Sequence, residues 1–249
     1  MVKDGRMPEP AVPSAPRTAR DRVRRELTGE IKETALAQLA AGGGAALSLR
    51  AIAREMGMAS SALFRYFRNR DALLTALIID SYSSLAQAAE AAEARVHEES
   101  VGDRWMAICH GVRDWALAHP HEYALIFGSP IPGYAAPPGT VAPASRVPLL
   151  LGDLLGDLVD DGTYDAGANP EPPEEVQWAL DPVRALLPAG VPSELLVRGL
   201  MVWTYLFGAV SFEVFGHRHN VIADYEVFFD HEVRRLAVML GLVPASTVS

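Results

Sequence analysis

Residues 52–74 read IAREMGMASSALFRYFRNRDALL, and two signals in and around that stretch set the architecture. The first is Gly57, which closes a short apolar periodicity made by Leu49, Ile52, Ala53 and Met56. Ser48 stands where the N-cap of that segment belongs, although residue 51 is not the acid that would complete a reciprocal capping box. The second is Asn69, a cap residue ahead of a longer helix that begins near Arg70. That helix carries Leu73, Leu74, Leu77, Ile78 and Leu85 at helical spacing and runs to about residue 95. Between the two signals, MASSALFRYF has room for only about two helical turns. The spacing predicts two short helices joined by a tight turn, then a long connecting helix.

Toward the N-terminus, Val23, Leu27, Ile31, Ala35 and Leu39 recur at helical spacing from Arg20 until Gly42-Gly43-Gly44 ends the helix. Residues 1–19 carry Pro8, Pro10, Pro13 and Pro16 with little apolar content and read as a flexible, basic, proline-rich arm. Toward the C-terminus, helices are expected at about 101–118, 120–128, 145–160, 174–187, 192–216 and 223–241. The Pro-, Gly- and Ala-rich stretch 128–148 and the broken stretch 161–173 read as loops, long ones for a compact bundle. Alternating β-branched runs with glycine turns are missing, as are internal repeats. The expected fold is all-α. A three-helix helix-turn-helix domain occupies residues 20–69, and a helical bundle occupies residues 70–249.

Two short helices at a fixed angle make a reading head, because the first braces the second while the second enters the major groove of DNA. Leu49, Ile52, Ala53, Met56, Leu63 and Phe67 are expected to pack inward and hold that angle. Ser60, Ser61, Ala62, Arg65 and Tyr66 are left for the outer face, flanked by Arg50 and Arg70. Hydroxyl and guanidinium groups bond phosphates, and an arginine can meet a guanine edge with two hydrogen bonds. Charge is distributed to match: the net charge is -9, yet residues 1–70 hold 13 Lys and Arg against 7 Asp and Glu, while residues 71–249 hold 9 against 24. A basic end attracts phosphate, and an acidic body limits nonspecific adhesion.

The head resembles the TetR-type repressors from about Ile31 to Leu74. The family pattern I-A-x-x-x-G-V-S-x-G-x-L-Y-x-Y-F-x-x-K-x-x-L-L is matched in type and spacing by Ile52, Ala53, Gly57, Leu63, Tyr66, Phe67, Leu73 and Leu74. The resemblance implies phosphate contacts from Ser48, Tyr66 and Arg70. It implies base or near-base contacts from Arg50, Ser60, Ser61 and Ala62, with Arg65 a further candidate. Arg17, Arg20, Arg22, Arg24 and Arg25 would steer the arm toward the DNA backbone or minor groove. The chain departs from the pattern at four places. Phe64 lacks the hydroxyl of the usual Tyr, and Ala59 replaces the usual capping Ser, which leaves Ser60 as the expected cap. Ser61 replaces a frequent Gly, and Arg70 replaces the common Lys while still able to hold a phosphate beside a helix N-terminus.

Residues 115–134, WALAHPHEYALIFGSPIPGY, resemble the A-x-x-H-P-x-x-Y-x-L-x-F-G-S-P stretch of a TetR subgroup with a Trp-His-Gly type C-terminal domain. The signature falls on Trp203 to Gly208, with Phe207 in place of the middle His. Kinship with this family implies a C-terminal domain that dimerises and binds a small-molecule effector. The expected partners are therefore double-stranded operator DNA, an effector and a second copy of the chain, and the expected function is repression relieved by ligand. Symmetry points to a homodimer too, since one short recognition helix reads few bases and a two-fold pair doubles the contacts. The expected interface is Leu196, Leu200, Val210 and Val214 from one helix with Phe228, Phe229, Val233, Leu236 and Leu240 from the next. The expected pocket lining is Trp105, Ile108, Trp115, Tyr123, Phe127, Trp203 and Phe207, an apolar set of the kind that lines effector sites in bundles.

Other classes find little support. No G-x-G-x-x-G follows a strand, and neither a G-K-[ST] loop nor a G-x-S-x-G elbow is present, so no cofactor and no catalytic residue are expected. His110, His119, His121, His217 and His219 lack the H-E-x-x-H arrangement, and no metal is expected. Cys109 is the only cysteine and, beside Trp105, Ile108 and Val112, reads as a buried, inert thiol. No uninterrupted apolar run approaches the roughly 20 residues that span a bilayer, and residues 1–20 lack the apolar centre of a secretory signal, so a cytoplasmic protein without a membrane partner is expected. The rival readings are an all-α enzyme, which substrate turnover would single out, and a constitutive architectural DNA-binding protein, which no ligand would release.

Overall fold

The computed structural model describes residues 19–43, 46–162, 164 and 170–242. The expected arm therefore lies outside the described residues, apart from Ala19, which begins the first helix. The chain divides into two compact units, Met1–Leu73 and Leu74–Ser249.

The first unit holds α1 (Ala19–Gly42), α2 (Leu49–Glu55), α3 (Ser60–Leu63) and the first turn of α4 (Arg70–Ala94). Its interior is apolar throughout: Ile31 and Ala35 from α1, Leu49, Ile52 and Ala53 from α2, then Leu63, Phe67 and Leu73. Met56, expected inside, is half-buried. Ser48 caps α2, its Oγ accepting from the Ala51 amide at 3.4 Å. Gln38 of α1 reaches both ends of α2, accepting from the Ser48 amide (3.4 Å) and donating to Glu55 Oε2 (3.3 Å). The α2 C-terminus closes as a Schellman turn, with Met58 N–H donating to the Ala53 carbonyl (2.7 Å) and Gly57 N–H to that of Arg54 (3.2 Å). That closure puts Gly57 at φ 65°, left-handed backbone that a residue with a Cβ adopts only at a cost.

Here the structure corrects one expectation. The cap position of α3 is Ala59, with no side-chain bond, and Ser60 is the first helical residue rather than the cap. Helical turns continue past α3 through Tyr66 and Phe67, both bonded back to the Leu63 carbonyl. Asn69 then caps α4, its Oδ1 accepting from Ala72 N–H at 2.8 Å.

The second unit comprises the rest of α4, α5 (Val101–Ala118), α6 (Pro120–Phe127), a 3-10 turn (Pro138–Thr140), α7 (Val141–Asp160), α8 (Glu174–Ala179), α9 (Asp181–Arg184), α10 (Ser193–Val214) and α11 (Tyr225–Leu240). No strand occurs among the described residues. Helix α5 packs against α6, α7, α10 and α11, and α10 packs against α7 and α11. Trp105, Ile108, Cys109 and Val112 of α5 are buried at this centre. Burial pushes the Cys109 thiol well above its ordinary range.

Two expected boundaries move. The supposed loop 128–148 gives way to helix at Val141, because Pro143 lies in the first turn, where its missing amide goes unused; Pro148 lies inside the helix. The expected helix 174–187 is broken at Leu180 into α8 and α9, because Pro182 cannot donate to the preceding turn.

Charged side chains tie the second unit together. Arg113 grips Glu213 with two bonds of 2.8 and 2.7 Å, and Arg104 joins Glu93 to Asp157 at 2.7 Å each. Burial raises the Glu93 carboxyl, but hydrogen bonds with His97 and Arg104 outweigh it and hold that group below its usual range. By length and composition alone, α4 and α10 each contain a window apolar enough to cross a membrane, although neither window is an uninterrupted apolar run; 44% and 39% of those windows are buried. In α10 the run is interrupted by Arg198, which donates to Glu194 (2.7 Å) and to the Met239 carbonyl (2.6 Å) inside the bundle.

Candidate functional site

The reading head presents its polar residues as the apolar interior requires. With Leu63 and Phe67 inward, Ser60, Ser61, Phe64 and Arg65 are exposed, and Ala62 and Tyr66 are half-buried. Arg50, at the second position of α2, is exposed, while Ser48 is committed to its capping bond. Arg70 is half-exposed and lies 3.6 Å from Asp71 within the first turn of α4. Of the basic residues expected to steer the arm, Arg17 lies outside the described residues, and Arg20, Arg22, Arg24 and Arg25 sit on α1. Arg24 braces the recognition segment: its guanidinium lies 5.3 Å from the Tyr66 ring centroid and donates to the Arg65 carbonyl at 3.5 Å. Sequence reasoning missed that brace, although Arg24 falls seven residues, about two helical turns, before Ile31 on the same side of the helix. Phe64, 44% exposed, is an aromatic on the outer face without the hydroxyl that would reach a phosphate.

The second unit holds an apolar cavity of about 250 Å³, partly open to solvent beside the exposed Leu186 and Trp203 and lined from α5, α7, α9, α10 and α11. Trp105 and Trp203 from the expected pocket set line it, and Phe127, Trp203 and Phe207 line a neighbouring space of about 230 Å³ that shares Pro148 and Trp203 with the first. The other three expected residues sit in the packed core. Ile108 is fully buried, Trp115 donates from its indole to Ser84 (2.9 Å), and Tyr123 is bonded to the Phe207 carbonyl (3.0 Å) and Ser211 (2.9 Å). Burial pushes the Tyr123 phenol up to about 12, tempered by the Ser211 bond. Much of the wall comes from α7, through Leu151, Gly152 and Leu155, which sequence reasoning did not name. The available signal was Gly152 and Gly156, four residues apart on one face. A Cβ at Gly152 would stand 2.2 Å from the Leu187 side chain and one at Gly156 3.0 Å from Pro188, so both positions are close approaches between segments.

The residues of the expected dimer stripe lie largely inside the bundle of the single chain. Leu196, Val210, Phe229, Val233, Leu236 and Leu240 are buried within their own protomer, and Leu200 and Val214 pack against the same core. Of that set, Phe228 is exposed. The exposed apolar face of α10 is instead Met201, Tyr205 and Phe212, with Phe215 just beyond and Val227 beside Phe228 on α11. Among the described residues, no group of three or more His, Cys, Asp or Glu side chains gathers to hold a metal.

Comparison with known proteins places both units. Residues 31–77 match the bacterial regulatory proteins of the tetR family, and residues 105–236 match the tetracyclin repressor-like C-terminal domain. The HTH-type transcriptional regulator Rv1816 of Mycobacterium tuberculosis is 35% identical over 224 residues, covering 88% of this chain and 94% of that protein. An HTH-type transcriptional regulator of Mycobacterium bovis matches over the same 224 residues, also at 35% identity, with the same shares of each chain covered. Among solved structures, the regulatory protein SCO4313 is 35% identical with a TM-score of 0.72, covering 88% of this chain and 98% of that one. A tetR-family regulatory protein from Rhodococcus RHA1 shares the fold at 15% identity, with a TM-score of 0.59 and coverage of 87% and 97%.

Proposed function

The chain belongs to the TetR family of bacterial transcriptional regulators, and from that premise we propose that it is a homodimeric repressor that leaves a palindromic operator when a small molecule binds. In this reading residues 20–69 read DNA, and residues 70–249 sense the effector and dimerise. Ser48, Tyr66 and Arg70 hold phosphates, Arg50, Ser60, Ser61 and Ala62 approach bases, and Arg65 lies alongside. The single observation that supports it best is the recognition segment itself, a polar, arginine-bearing surface over Leu63 and Phe67, which are locked into an apolar interior. The second copy is proposed to cover Met201, Tyr205 and Phe212 on α10 with Phe228 on α11, apolar side chains that the protomer leaves exposed.

Release follows from linkage. A ligand that favours a conformation unsuited to adjacent major grooves weakens operator binding, and operator must weaken ligand binding by the same factor. Selection from random duplexes tests the reading: the expected result is a two-fold symmetric site whose affinity falls steeply with salt. Absence of salt-sensitive affinity for every duplex would refute it.

A further inference from the structure

Resting on the reading of the C-terminal unit as ligand-responsive, we infer that the effector is an uncharged, hydrocarbon or aromatic molecule about the size of two fused rings, held in the cavity between α7, α9 and α10. The wall is aliphatic, built largely from Leu151, Leu155, Leu196, Leu200, Val183 and Leu240. No charged side chain lines it. Two of the polar atoms at its edge are already spent: the Ser145 hydroxyl donates to the Val141 carbonyl at 2.9 Å, and the Trp105 indole N–H donates to the Val233 carbonyl at 2.9 Å. The arginines closest along α9 and α10 have partners elsewhere. Arg184 donates to Ser193 Oγ (2.6 Å) and the Val191 carbonyl (3.4 Å), and Arg198 donates to Glu194 (2.7 Å) and the Met239 carbonyl (2.6 Å). An ionised carboxylate or phosphate entering here would lose its hydration and meet no counter-charge.

Size follows from volume. A dry cavity of about 150 Å³ lined by aliphatic and aromatic side chains accepts benzene. The cavity of about 250 Å³ here has room for a second ring. Tight contacts around it keep the volume defined: a Cβ on Gly199 would lie 2.7 Å from Leu155 Cδ1, and one on Gly152 2.2 Å from Leu187 Cδ2, so the wall has no slack on those sides.

The test is titration calorimetry of the full chain at neutral pH with two near-isosteric probes, 2-naphthol, which is neutral, and 2-naphthoate, which is an anion. The expected result is saturable binding of 2-naphthol, with 2-naphthoate about a hundredfold weaker because its carboxylate is stranded. Leu200→Trp, which adds bulk to the cavity wall, is expected to weaken 2-naphthol about tenfold or more. Comparable affinity for the two probes, no binding of 2-naphthol, or a Leu200→Trp protein that binds it like the parent would each overturn the inference. If Leu200→Trp does not fold, Leu200→Ala replaces it: the larger cavity should shift preference toward three-ring 2-hydroxyanthracene by about tenfold, and an unchanged ratio overturns the inference equally. A protein that takes up 2-naphthol yet binds no duplex would instead sink the regulator reading and leave the cavity chemistry standing.

Discussion

Arginine has opposite uses in the two units. In the first, Arg50, Arg54, Arg65 and Arg68 stand exposed above an interior that contains no buried polar side chain among the described residues. In the second, Arg104, Arg113, Arg198 and Arg218 are drawn in and each donates to a carboxylate at 2.7 to 2.9 Å. Moving a guanidinium out of water costs several kcal/mol, and only good geometry with a partner offsets it. Arginines kept wet stay available to a polyanion, whereas arginines drawn into the bundle against Glu or Asp are out of a polyanion's reach. Exposure, more than the count of basic residues, separates a nucleic-acid face from an internal fastening.

The largest effect expected from this contrast comes from the fastenings. Arg113→Met strands Glu213 in the bundle and should cost about 3–5 kcal/mol in chemical denaturation of the second unit. Arg113→Met with Glu213→Leu should recover most of that loss, because no unpaired charge remains. Next is Arg70→Ala, expected to leave stability nearly unchanged while weakening all duplexes roughly tenfold and making the slope of log affinity against log salt shallower by about one. An unaltered slope would remove Arg70 from the phosphate contacts. Smaller again, Ser48→Ala deletes the α2 cap and should lower the stability of the head by about 1 kcal/mol, read from its thermal unfolding. Smallest, Phe64→Tyr restores a hydroxyl on the exposed face and should tighten duplex binding by about 0.5–1 kcal/mol in a fluorescence titration.

The head was readable from sequence because its signals are local. Ser48, Gly57 and Asn69 each act within a turn or two of themselves, and each does in the structure what its chemistry promised. The exception, Ala59 at the α3 cap, shows that a helix held by packing of Leu63 can start without a side-chain cap. In the second unit the decisive information is not local. Helix α10 is apolar nearly all round, so periodicity could not tell Leu196 and Val210, which face the core, from Met201 and Phe212, which do not. The start of α7 was hidden because Pro143 and Pro148 look like loop residues until one is placed in a first turn. The cavity was hidden more deeply, since it depends on volume left between Gly152, Leu187 and Leu200, which are far apart in the chain.

Cys109 has a practical corollary. It is the sole thiol of the chain, and it is sealed in the centre of α5 with its ionisation suppressed, so maleimides and methanethiosulfonates should find nothing to modify in the folded protein. A cysteine introduced at the exposed Ser61 would then be the one reactive position, and a spin or dye label there could report how far apart the two heads of the proposed dimer are held, without removing any native residue from the core.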